Sequence, residues 1–247
     1  MGIILFLYGL LLGSFYNVVG LRVPEKKSIV KPRSACPNCG HTLRPIELIP
    51  VLSYVIQGGK CSQCSGCISP LYPFMELAAG LLFVYSYEVF GLAPELLIAL
   101  TLVSMLIIIF VSDIKYMIIP DKILLVFGGI FIVERLLLPL SPWWDSLVGA
   151  VVAFALLLLI AIVSNGAMGG GDIKLFALLG FVLGVKLVLL SFFLATLIGA
   201  VVGIIGLAIG IFERKKPIPF GPYIVAGTLA AYFFHYEILR WYFSLIL

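Results

Sequence analysis

The sequence predicts an all-α polytopic membrane protein of about eight transmembrane helices, with a four-cysteine loop domain between the first and second. Three observations lead there. Of its 247 residues, 62% are hydrophobic and 11% charged, with a mean hydropathy of +1.20, whereas soluble domains carry roughly 25% charge. Uncharged runs at 2–21, 96–112, 146–171 and 187–212 are near or above the roughly 17 to 25 residues that cross a bilayer. Weaker spans at 71–90, 122–140, 173–185 and 218–236 complete the set.

Lys and Arg favour cytoplasmic loops. With eight spans and both termini outside, thirteen of the sixteen basic residues fall inside, among them Arg22, Lys26, Lys27, Lys31, Arg33 and the Arg214, Lys215, Lys216 cluster. Omitting the short 173–185 segment would carry that last cluster outside, so the segment is retained, with Lys174 snorkelling to the headgroups. No small-residue cleavage site argues for a removable signal, and the first segment is read as a retained helix.

That first helix ends in Gly13-Ser14-Phe15-Tyr16-Asn17, where polar Asn17 needs only a hydrogen bond to a neighbouring helix. Residues 22–70 hold all five cysteines. Cys36, Cys39, Cys61 and Cys64 form two C-x2-C pairs separated by 21 residues, the spacing of a tetrahedral four-thiolate zinc site. A reducing cytoplasm disfavours disulfides, and metal binding would supply much of the folding free energy of so small a loop. Cys67 extends the second pair, as an alternative ligand or part of an iron–sulfur site. Without a further cysteine at ferredoxin spacing it is read as a spare, and His41 as a bystander. Residues 22–60 carry seven basic and two acidic side chains, a net of +5. Anionic headgroups account for that charge, and no interleaving of aromatic and basic residues supports nucleic-acid binding.

The third span runs into Asp113-Ile114-Lys115, and Asp121 follows Pro120 at the start of the fourth, where a helix cap is the ordinary role. Glu76, in the second span, has no assigned function; Glu134, Arg135 and Asp145 are read as interfacial anchors. Asp172 follows three glycines, Gly169, Gly170 and Gly171. An isolated match of this kind would be a helix cap, but bare backbone beside an acid also lets an extended peptide lie against it. The predicted topology puts Asp113 and Asp172 at the cytoplasmic ends of different helices, able to meet across a cavity. Pro217, Pro219, Gly221 and Pro222 make a stiff entry to the last span, with Phe220 and Tyr223 placed to wall a cavity.

Two facing carboxyls that share one proton can hydrolyse a peptide bond, one taking a proton from water and the other donating to the carbonyl. Intramembrane acids also bind cations or relay protons in transporters, and a zinc loop can dock a partner on a membrane scaffold. The glycines favour the enzyme, since a proton relay has no need of bare backbone.

The motifs GSFYNVVGLRVP from Gly13, CPNCGHTLRPIELIPVLSY from Cys36, ISPLYPFMEL from Ile68, DIKYMIIPD from Asp113, MGGGDIKLFALLG from Met168 and IPFGPY from Ile218 resemble, in this order, those of type 4 prepilin peptidases, of the GxGD intramembrane aspartyl protease group. The resemblance implies a cytoplasmic-membrane endopeptidase acting on prepilins and pseudopilins. It implies Asp113 and Asp172 as the catalytic pair, Cys36, Cys39, Cys61 and Cys64 as zinc ligands, and S-adenosylmethionine as methyl donor for the new N-terminal amine. The division it implies is a first helix at 1–21, a zinc-binding methyltransferase part at 22–70 and a peptidase domain at 71–247. Where the family often reads L-R-G-K-C, this chain has Gln57-Gly58-Gly59-Lys60-Cys61. Glu25 or Glu47, or the anionic membrane surface, is expected to meet the basic leader.

Overall fold

The computed structural model describes residues 1–164, 166, 168–213 and 218–246. Arg214, Lys215, Lys216 and Pro217, which enter the charge and proline readings above, lie outside the described residues. Eight α-helices form and no strand does, among the described residues: α1 (Gly2–Arg22), α2 (Leu52–Ile56), α3 (Leu71–Phe90), α4 (Glu95–Tyr116), α5 (Asp121–Leu137), α6 (Asp145–Val163), α7 (Gly170–Ala208) and α8 (Gly221–Ile246). Of these, α1, α4, α6 and α7 are each long and apolar enough to cross a membrane. The chain divides into two compact units, Met1–Ser112 and Asp113–Leu247.

In the first unit, small residues set how closely the helices approach. A Cβ on Gly9 would meet the backbone of Gly80, and one on Gly13 the backbone of Glu76. Asn17 Nδ2 donates to the Tyr72 carbonyl at 3.1 Å. The residue numbers of these pairs have a constant sum, so α1 and α3 are antiparallel. Against α4 the difference is constant instead: the Tyr16 and Ser104 hydroxyls bond at 2.6 Å, and Gly20 lies against the Ile108 carbonyl. The α1 and α4 helices therefore run parallel. Asn17 is the inter-helix hydrogen bonder its composition suggested, and such small and polar contacts stand in for the hydrophobic drive that lipid does not provide.

The second unit turns on Gly184. The α7 element counts 39 residues, yet Gly184 inside it has φ 78° and ψ 175°, angles open to glycine. Phe176 and Phe192 lie eight residues to either side, and their rings meet edge to face with centroids 5.5 Å apart. In a straight helix sixteen residues would separate them by about 24 Å. The element is therefore a helical hairpin, α7a before Gly184 and α7b after it, with its break two residues before Lys186, which separates 173–185 from 187–212 in the sequence.

A break in a helix exposes carbonyls on one side and N–H groups on the other. Here the Arg135 guanidinium donates to the Val182 carbonyl through Nε at 2.9 Å and through a second N–H. Asp145 Oδ1 accepts from the Val185 N–H at 3.4 Å. Two residues read as interfacial anchors thus cap the two halves of the hairpin.

Several ends differ from expectation. The uncharged run 146–171 is helical only to Val163, where Ser164 and Gly166 (φ 85°) close it by bonding back to Ile160 and Ala161. The α4 helix continues to Tyr116, which puts Asp113 inside it; Met117, at φ 54°, donates to the Asp113 carbonyl and ends it. Asp121 is the first residue of α5 and makes no side-chain cap; its carboxylate takes two hydrogen bonds from Lys174 Nζ at 2.8 and 2.9 Å. Phe220 and Tyr223, expected to wall a cavity, lie against Gly199 of α7b.

The packing at Gly149 yields a prediction. A Cβ there would collide with the Gly180 carbonyl and the Gly184 backbone, so Gly149→Val should pry α6 from the hairpin. The loss expected is of the order of 1–3 kcal/mol, the usual size of an overpacking change. Thermal unfolding in detergent should show a clearly lowered midpoint, while Gly129→Val, where no atom lies within 4 Å, should leave it near wild type.

Candidate functional site

Both candidate acids belong to the second unit, and each is held at the start of a helix. Asp113, in the last turn of α4, is 5% exposed. Its Oδ2 accepts the Gly221 N–H at 2.7 Å, the first amide of α8. A Cβ on Gly221 would stand 2.7 Å from both Asp113 Cβ and Oδ2, so only glycine lets the carboxylate seat on this helix start, where unpaired amides and the helix dipole favour an anion.

Asp172 is the third residue of α7, and Gly169 is its N-cap. The carboxyl folds back onto the Gly169 backbone N–H. Asp172 is therefore not the N-cap that an isolated match would suggest: it stands inside the first turn, two residues past the helix start. Asp172 is half-buried, and it lies within electrostatic reach of Asp113.

The three glycines before Asp172 have separate jobs. A Cβ on Gly169 would lie 3.0 Å from Asp172 Oδ2. One on Gly171 would come within 3.0 Å of Ile119, so that bare backbone is met by the chain's own loop between α4 and α5. Gly170 alone has no atom within 4 Å of its Cβ position. The room expected for an outside peptide is therefore confined to Gly170.

In the first unit, the sulfurs of Cys36, Cys39, Cys61 and Cys64 lie within 4.8 Å of one another, with 3.8 Å between Cys36 and Cys64 and 3.9 Å between Cys39 and Cys61. Two matching knuckles bring them together. Cys36 N–H donates to the His41 carbonyl and Gly40 N–H to the Cys36 carbonyl; Cys61 N–H donates to Gly66 and Ser65 N–H to Cys61. Gly40 and Ser65 hold the equivalent positive-φ positions, and the bridges Ala35↔Thr42 and Lys60↔Cys67 close the two turns. Cys67 is thus a backbone partner in the second knuckle and stands outside the sulfur cluster. The N–H groups of Cys39 and Asn38 draw the Cys36 thiol down to about 7, and those of Cys64 and Gln63 lower Cys61. Against the N–H of Gly66, the crowding of Cys64 by the sulfurs of Cys39, Cys61 and Cys36 pushes its thiol up to about 11. Four thiols this close can all ionise only around a cation.

Glu47 ties the knuckles to each other. Its carboxylate accepts the Arg44 N–H at 2.7 Å, the Ser62 hydroxyl, and His41 Nε2 at 3.1 Å. The Arg44 amide first, then Ser62 and His41, hold its carboxyl down at about 2. His41 is therefore no bystander, and Glu47 is occupied inside the loop; Glu25 pairs with Lys27. Sequence reasoning missed the roles of Gly221 and Glu47. The one available signal was a glycine set between prolines in IPFGPY, and nothing in it points to Asp113, 108 residues away.

Comparison with known proteins gives two matching family models, the bacterial peptidase A24 N-terminal domain over residues 7–90 and the type IV leader peptidase family over residues 100–204. Three curated relatives carry the name prepilin leader peptidase/N-methyltransferase. The Bacillus subtilis protein is 45% identical over 99% of this chain and 98% of its own. The Pseudomonas aeruginosa protein is 35% identical over 91% and 87%, and the Aeromonas hydrophila protein 32% over 97% and 92%. No solved structure matches.

The hydrogen bonds of Glu47 set a pH dependence. Its depressed value means that the ionised side chain stabilises the loop fully above the unfolded carboxyl value of about 4.3. That contribution fades as pH falls from there through about 2. Hydrogen exchange over residues 41–48 should be faster in Glu47→Gln than in wild type, equally at pH 7 and pH 5.5. A difference that vanished between those two values would contradict the bonding described.

Proposed function

Because the chain belongs to the type IV leader peptidase family, we propose that it cleaves the leader from prepilins and pseudopilins with Asp113 and Asp172, and then methylates the exposed N-terminal amine. The observation that carries this reading is the approach of two carboxyls from separate helices within one unit, each held by a backbone N–H. A family match along the whole chain favours this over the transporter and scaffold alternatives.

Peptide hydrolysis then proceeds with one proton on the pair. The ionised carboxylate takes a proton from water as the water oxygen bonds to the scissile carbon, and the protonated partner donates to the carbonyl oxygen. When the tetrahedral intermediate collapses, the carbon–nitrogen bond breaks. The leaving amine takes the proton that came from water, and the hydroxyl proton returns to the donor. Asp113 is the buried, fixed member of the pair. Asp172 is the more exposed member, and the open space at Gly170 is where an extended peptide lies beside it.

Zinc suits the four cysteines. Zn–S bonds of about 2.3 Å place tetrahedral sulfurs about 3.8 Å apart, against the 3.8 and 3.9 Å found. Cys36, Cys39, Cys61 and Cys64 would hold the ion, and its contribution is to fold a loop too small for its own core. S-adenosylmethionine would supply the methyl group. No strand followed by a glycine turn and a helix occurs among the described residues, so no side chain is assigned to it. The division proposed is a methyltransferase part at 22–70 and a peptidase domain at 71–247. The protein sits in the bacterial cytoplasmic membrane with both termini outside and the aspartates towards the cytoplasm, as the distribution of Lys and Arg requires.

With purified protein in detergent and a prepilin substrate, Asp113→Asn and Asp172→Asn should each lose cleavage by about 10²- to 10⁴-fold. Methyl transfer from labelled S-adenosylmethionine to precut pilin should persist in both. Cleavage at the wild-type rate by either variant would refute the pair.

A further inference from the structure

We propose that Ile46, Ile49, Leu52, Val55 and Ile56 lie in the lipid of the leaflet bordering the basic end of α1, so that the four-cysteine loop is seated in the membrane surface. This rests on the reading of α1 and α3 as membrane helices, and every residue involved belongs to the first unit.

The register of α1 on α3 fixes the depth. Gly13 meets the backbone of Glu76, so Glu76 is level with a point nine residues before Arg22, or about 13 Å below the charged end of α1. Glu76 Oε2 accepts the Val51 N–H at 2.8 Å. The loop at Val51 is thereby drawn down beside α3 to within one side chain's length of that level. Val51 has φ 61° and ψ −51°, a conformation that a β-branched residue adopts only when its surroundings impose it. Here the amide of that residue is taken by a buried acid on a membrane helix.

On both sides of this tether the side chains are apolar and turned outward. Ile46 is 74% exposed, Leu52 53%, Val55 67% and Ile56 72%. Within α2, Leu52, Val55 and Ile56 stand at spacings of three and four on one side of the helix, as in a helix lying on a membrane. An aqueous setting would leave this ridge in water, whereas interfacial segments bury such a face about 5–10 Å into the headgroup and acyl boundary. The net +5 of residues 22–60 complements an anionic leaflet. That charge, together with the depth of the tether, selects lipid over a second protein as the covering partner.

The test replaces Trp143, Trp144 and Trp241 with Phe in the full-length protein. A single reporter, Val55→Trp, or Gln63→Trp on the exposed second knuckle, is then added, and the protein is reconstituted in vesicles of phosphatidylethanolamine and phosphatidylglycerol. Val55→Trp should emit at blue-shifted wavelengths and lose emission when the acyl chains are brominated near the headgroup, and Gln63→Trp should do neither. Emission from Val55→Trp at the water-exposed wavelength without quenching would overturn the proposal. Blue-shifted emission that brominated lipid leaves untouched would overturn it as well, by showing a protein partner on the ridge. Ile46→Trp, on the other side of Val51, gives the same readings should Val55→Trp fail to retain metal. Quenching reports position alone, so failure of the peptidase assignment leaves this test intact.

Discussion

The structure depends on one constraint: in apolar surroundings, backbone amides exposed at a helix start or a bend must find a partner within the chain. An acid meets this need four times. Asp113 takes the first amide of α8, Asp172 turns back to Gly169, Asp145 takes the amide that follows the break at Gly184, and Glu76 takes that of Val51. An anion suits such positions because the amide dipoles at a helix start point towards it. Acidic residues, costly within a membrane, therefore stand where the helical ladder is interrupted, and the interruptions are where the chain can do something other than span.

What separates the proposed catalytic acids from the structural ones is the company they keep. Asp145 shares its turn with Arg135, whose guanidinium answers the opposite end of the same break, and Glu76 faces a loop amide. Asp113 and Asp172 lie within electrostatic reach of each other, and no Lys or Arg is bonded to either in the geometry described. Lys174, two residues from Asp172, is engaged by Asp121. A cationic partner would fix both carboxylates in the ionised form, whereas the chemistry needs a proton between them. Glycine completes the arrangement, since Gly221 admits Asp113 to the α8 start and Gly170 leaves the approach to Asp172 clear.

Much of this was legible in the sequence because its signals were local. Hydropathy over a window finds apolar helices, and the C-x2-C spacing finds a knuckle, since both are properties of adjacent residues. The shortness of 173–185, set against the charge bias, was enough to divide α7 within two residues of its break at Gly184. Helix ends were harder. The uncharged run 146–171 continues past Val163 because Ser164, Gly166 and the glycines before Asp172 carry no charge, although one helix ends within the run and the next begins at Gly170. Met117 ends α4 in a left-handed conformation that nothing in its side chain announces. The partners of Asp113, Glu47 and Glu76 were beyond reach for another reason: a hydrogen bond from a backbone amide leaves no mark on residue identity, and these contacts span up to 108 positions.

The break at Gly184 has a consequence for water. The α7a segment, from Gly170 to the residue before Gly184, holds about 14 residues and is about 21 Å long, against a hydrocarbon core of about 30 Å. A rod that short cannot touch both faces of the bilayer. With the capped bend towards one face, the other end, which bears Asp172, stops short of the opposite surface, and the bilayer must thin or admit water to meet it. On the proposed topology, the length of its helix alone brings the half-buried acid towards a wet or thinned surface.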